Sequence, residues 1–159
     1  MLPSSNESTI KEIRIGEELI SEATYEQSVT VSLNDEIDIS RGDMIVQKDD
    51  SLTSTKNFRA NVCWLSESDL SVNRTYLIMH TTRLSKAKIS SINNKININT
   101  LDTEQANELK TNDIANISFK LAQPLIVDQY SQNRSTGAFI IIDETTYHTV
   151  GAGMIETLE

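Results

Sequence analysis

Apolar positions in this chain recur mostly at every second residue and seldom at helical spacing. Residues 28–33 alternate strictly, which puts Val29, Val31 and Leu33 on one face of an extended segment and hydroxyls on the other. Residues 57–64 repeat the pattern with Phe58, Ala60, Val62 and Trp64, and residues 116–121 with Ile117, Phe119 and Leu121. Further strands are predicted over residues 9–15, 76–82, 84–92 (Ala87 and Ile89 inward) and 96–101, and another after the Arg41-Gly42 turn.

Near the end, the run Ala138-Phe139-Ile140-Ile141-Ile142 is too short for a helix and rich in β-branched side chains, so it reads as a strand. A polar turn leads to Thr149-Val150-Gly151-Ala152-Gly153-Met154-Ile155, and the two arms form a hairpin that closes the core. Val150, Ala152 and Met154 are expected on one face of the second arm. Gly151 and Gly153 leave the other face bare, which predicts that something packs closely against it.

Only residues 102–109 suggest a helix, with Asp102 and Gln105 placed as a capping box and Ala106 and Leu109 turned inward. Pro124 ends or offsets its strand, because proline cannot donate to a sheet ladder. Strands roughly 8 to 15 residues apart with almost no helix between them argue for an all-β, Greek-key antiparallel barrel or sandwich. The polar stretch of residues 48–56 has no hydrophobic period and marks a domain boundary.

Charge and composition narrow the function. A formal net charge of -9, with 14 basic against 23 acidic residues and no cationic run, argues against nucleic acid as a partner. No apolar run approaches the ~20 residues of a membrane span, and the N-terminus lacks a secretory pattern. The single Cys63 excludes an internal disulfide framework and agrees with a reducing, cytoplasmic setting. With five glycines there is no G-x-x-x-x-G-K-[ST] phosphate loop. Asn94-Lys95-Ile96-Asn97 imitates a guanine-reading motif but lacks its carboxylate, and receives no role.

Thr149-Val150-Gly151-Ala152-Gly153 resembles the end of the third domain of elongation-factor-Tu-type GTPases. Asp35-Glu36-Ile37-Asp38-Ile39-Ser40-Arg41-Gly42-Asp43 is more similar to the large GTP-binding subunit of the bacterial heterodimeric sulfate adenylyltransferase. Asn133-Arg134 through Met154-Ile155 resembles the same family, as do Val62-Cys63-Trp64, His80-Thr81-Thr82-Arg83, Ile98-Asn99-Thr100-Leu101, Asn112-Asp113-Ile114 and Pro124-Leu125 with Asp128 and Tyr130, in order. The resemblance implies an all-β chain in which residues 56–159 form a Greek-key barrel like domain III of elongation factor Tu. Residues 49–55 would be a linker and residues 1–48 the C-terminal part of a domain-II-like barrel. It further implies an enzyme that makes adenosine 5'-phosphosulfate from ATP and sulfate, coupled to GTP hydrolysis. GTP and magnesium are then expected in an N-terminal domain absent from these residues, and this segment docks its own GTPase domain and the catalytic subunit. A translation-factor barrel that binds RNA is the alternative.

No catalytic, cofactor or metal residue is assigned. His80, His148 and Cys63 are scattered without ligand spacing, and Asp35, Glu36 and Asp38 read as a solvated turn. No G-x-S-x-G elbow supports a hydrolase. Arg41, Arg83 and Arg134, each beside Gly, Thr or Ser at a turn, are the candidate interface residues, because the guanidinium fork pairs carboxylates across interfaces. Pairing within the domain is the competing reading for each.

Overall fold

A computed structural model describes residues 1–48, 50, 52 and 54–158. The chain divides into two compact units, Met1–Asp50 and Ser51–Glu159.

In the first unit, β1 (Ile10–Ile15) turns at Gly16 into β2 (Glu18–Ile20), and β3 (Thr30–Leu33) pairs with the other side of β1. All contacts are antiparallel, in the order β2-β1-β3. The sheet has no deep core: Ile13, Val31 and Leu33 are only half-buried, and Ile10, Ile15 and Leu19 are exposed. The expected strand after Gly42 is reduced to one bridge between Met44 and Leu2.

The second unit is a barrel. Its strands are β4 (Ser54–Trp64), β5 (Thr75–His80), β6 (Arg83–Ile96), β7 (Thr103–Glu104), β8 (Ile114–Ile126), β9 (Ala138–Asp143) and β10 (Thr149–Leu158), with one helical turn, α1 (Arg134–Gly137), before β9. The order β5-β9-β10-β4-β8-β6 closes on itself because β5 also pairs with β6, and β7 extends one end of β6. The closed antiparallel barrel is the fold class expected.

Alternation in the sequence becomes inside and outside. Phe58, Ala60, Val62, Trp64, Ala87, Ile89, Ile117, Phe119 and Leu121 are all buried. Phe58, Phe119 and Phe139 meet in a triangle with ring centroids 5.3–5.5 Å apart, and Trp64 meets Tyr76 edge-on at 5.8 Å. Such contacts contribute about 0.5–1.5 kcal/mol each beyond the area they bury. The polar ends of the second pair hold the following loop: Trp64 Nε1 donates to Ser68 O at 2.8 Å, and Tyr76 Oη accepts from Ser71 N at 3.1 Å.

Three expectations are corrected. Residues 102–109 are not helical: Thr103 and Glu104 pair with Ile96 and Lys95, so sheet pairing overrides the local capping signal, although Leu109 is fully buried as expected. Residues 97–101 form the turn before β7 and not a strand, because the Asn97 side-chain oxygen accepts from Asn99 N and Thr100 N. Val150 does not share a face with Ala152 and Met154, since the register slips between Thr149 and Gly151 and turns Val150 into the core. Pro124 offsets its strand: β8 continues to Ile126, but its pairing with β4 is displaced between Lys120 and Leu125.

Candidate docking face

Outward positions on a solvated barrel should be polar, and on part of this one they are. Arg59, Lys120 and Lys88 lie exposed on β4, β8 and β6, with Arg59 opposite Ser118 and Lys120 opposite Lys88. Farther along β4 and β8, and on to β10, β9 and β5, the rule is broken. Cross-strand partners run Met79, Ile140, Ala152, Cys63, Ile114 over β5, β9, β10, β4 and β8. All are exposed or half-buried, and together with Met154 they line a shallow groove of about 560 Å³. A contiguous apolar strip on an acidic, polar chain is the kind of surface that partners cover.

One row further along, Met154 pairs with Asn61 and Asn61 with Asn116. Asn116, buried, donates through Nδ2 to Asn61 Oδ1 at 3.0 Å and to Glu156 Oε2 at 2.6 Å. Its own Oδ1 accepts from Asn93 Nδ2 at 2.8 Å. The apolar strip is thus bordered by a fixed ladder of amides ending on a carboxylate.

Tyr130 closes the groove on the β9 side. Its backbone N donates to Ile155 O at 2.8 Å, and Gly137 packs against its backbone so closely that any side chain there would collide with it. Arg134, exposed at the start of α1, places its guanidinium 5.9 Å from the Tyr130 ring centre. Beneath, buried His80 donates from Nε2 to Thr136 O at 2.7 Å, a carbonyl being able only to accept, while the Thr136 hydroxyl donates to Asp128. Burial pushes the imidazole below its ordinary value of 6.5, against the raising influence of Thr136 and Asp128.

The three arginines have different settings. Arg134 lies over Tyr130, which lines the groove. Arg83, half-buried at the β5–β6 turn, donates to Gln123 Oε1 at 3.3 Å. Arg41 is exposed in the first unit, in a turn closed by Ser40 N donating to Asp43 Oδ2 at 3.0 Å. Asp35 accepts from Ser8 Oγ at 2.7 Å. Among the described residues no group of three or more His, Cys, Asp or Glu side chains is placed to hold a metal ion. Among the described residues no helix is long and apolar enough to cross a membrane.

The sequence reading missed the groove. Its signal lay in Ala152 and Met154, apolar where the alternation calls for polar residues.

A family model described as GTP-eEF1A C-terminal domain-like matches residues 57–156. The chain belongs to that family. Within it, the chain is 44% identical over 154 residues to sulfate adenylyltransferase subunit 1 of Psychromonas ingrahamii, and 44% identical over 154 residues to that of Shewanella woodyi. The Teredinibacter turnerae subunit 1 is 41% identical over 158 residues. These alignments take in 97–99% of the chain but 33–34% of each relative, so it spans about a third of the length of the curated relatives it matches. Among solved structures, Sup35 complexed with GDP superposes with a TM-score of 0.87 over 99% of the chain and 39% of Sup35, at 14% identity. Sup35 complexed with GMPPNP gives the same TM-score at 13% identity. At that identity the likeness is one of fold. The eEF1A-type C-terminal barrel carries sequence 41–44% identical to these sulfate adenylyltransferase subunits, and the RNA-binding translation-factor alternative is not favoured.

Proposed function

We propose that this chain is a non-catalytic, partner-docking part of the GTPase subunit of a sulfate adenylyltransferase. In this reading the whole enzyme forms adenosine 5'-phosphosulfate and pyrophosphate from ATP and sulfate in the cytoplasm, with GTP hydrolysis driving an unfavourable equilibrium. GTP and magnesium are held by a nucleotide domain outside these residues, and the barrel carries contacts from that domain to the catalytic subunit. Residues 1–48 contribute part of a second barrel, with residues 49–55 as the linker.

The observation that supports this most is the apolar strip from Met79 to Ile114 on the outer face of a barrel whose relatives are subunits of a sulfate adenylyltransferase. Arg134, over Tyr130, and Arg41 and Arg83 are assigned to the contact surface. Calorimetric titration of the chain with a sulfate adenylyltransferase catalytic subunit tests the reading. Weak binding is expected, reduced by substitution of one or more of the three arginines, with no heat on adding GTP and magnesium. Tight GTP binding by the chain alone would overturn it.

A further inference from the structure

We infer that the groove takes an apolar ridge of the catalytic subunit that ends in a basic side chain set against Glu156, with Arg134 fixing the direction in which the ridge lies. This rests on the docking role proposed above and names the chemistry of its partner.

Three observations lead there. The floor, Ile140, Ala152, Cys63 and Met154, offers no charge and accepts only an apolar surface. Two charges of opposite sign lie next to lining residues, and neither forms an ion pair with any described residue: Glu156, bonded to Asn116 beside Asn61, and Arg134, over Tyr130. Both are restrained, Glu156 by the short bond from buried Asn116 and Arg134 over the Tyr130 ring. A restrained charge at the rim of an apolar surface has lost part of its side-chain freedom before a partner arrives, so an opposite charge there costs less ordering on binding.

The overall field selects the sign. At a net charge of -9 a second copy of the chain is repelled, whereas a basic ridge is drawn in. Glu156 then pairs with the ridge's cation. Arg134 repels that cation beside Tyr130, so an orientation that carries it there is disfavoured.

The test is a binding titration between the whole chain and a sulfate adenylyltransferase catalytic subunit at low and high salt, using the unchanged chain and the variants Ala152→Asp, Glu156→Gln and Glu156→Lys. Thermal melts establish that each variant is folded. Ala152→Asp places a carboxylate on the groove floor and is expected to weaken binding more than about tenfold. Glu156→Gln is expected to weaken it about threefold at low salt and to flatten its salt dependence, and Glu156→Lys to weaken it further. Full-strength, salt-sensitive binding by both Glu156 variants, with Ala152→Asp impaired, overturns the basic ridge and leaves the docking role standing. Unimpaired binding by folded Ala152→Asp removes the groove from the interface. Failure of the unchanged chain to bind overturns both readings, and dimerisation of the chain that Ala152→Asp abolishes makes a second copy the occupant.

Discussion

Gly153 lies directly beneath the ring of Phe139: a Cβ at position 153 would come within 2.7 Å of Phe139 Cε1. The ring cannot give way, because Phe58 and Phe119 hold it from two other sides at centroid distances of 5.3 and 5.5 Å. Gly153→Val is therefore expected to destabilise the barrel by about 1–3 kcal/mol, seen as a lowered melting temperature. An unchanged melting temperature would mean that the phenylalanine triangle repacks freely.

The two units should differ in protection. The first has an open three-stranded sheet with half-buried apolar residues, the second a closed barrel. Amide exchange at Val31 and Leu33 is expected to be faster than at Ile117 and Phe119, since few buried contacts oppose local opening there. Equal protection in a proven monomer would contradict this.

His80 makes the barrel sensitive to mild acid. With its folded value pushed below 6.5, the unfolded chain takes up a proton first as pH falls, so the folded state loses stability on acidification. The contribution is complete above 6.5, declines between 6.5 and the lowered folded value, and changes no further below it. His80→Gln should flatten denaturant-derived stability across that window, whatever its offset at neutral pH.

Asp143 organises the β9–β10 turn. Its Oδ1 accepts from Thr145 N and Thr146 N at 2.9 Å each, and Oδ2 meets Arg74 at 2.7 Å. The Thr146 amide foremost, helped by Thr145 and Arg74, holds this buried carboxyl below its ordinary value. Asp143→Ala is expected to cost about 1–3 kcal/mol by leaving these donors without their acceptor, measured by urea denaturation. Asp143→Asn, which keeps one carbonyl oxygen, should cost less.

Most of the barrel was legible because each long strand has one wet and one dry face, so local alternation encodes the inside and outside of residues such as Phe58 to Trp64. What escaped depended on partners distant in sequence. Residues 102–104 carry a helix-start signal, yet Ile96 offers a strand edge that only the folded chain brings near. Val150 turns inward through a register slip set by β9. The apolar strip is a row across five strands, to which each strand contributes one residue. Arg134 could be singled out beforehand from its turn, but not its placement over Tyr130.

The first and last long strands of the barrel, β4 and β10, are antiparallel neighbours, and Phe58, four residues into β4, faces Leu158 at the end of β10 as its direct cross-strand partner, about 5 Å apart at Cα. The start of β4 and the end of β10 thus lie at the same end of the barrel. The barrel therefore works as a cassette that can be threaded into a longer polypeptide without driving the flanking pieces apart. Two modules fused at its ends would be tethered at high effective concentration on one side of the barrel.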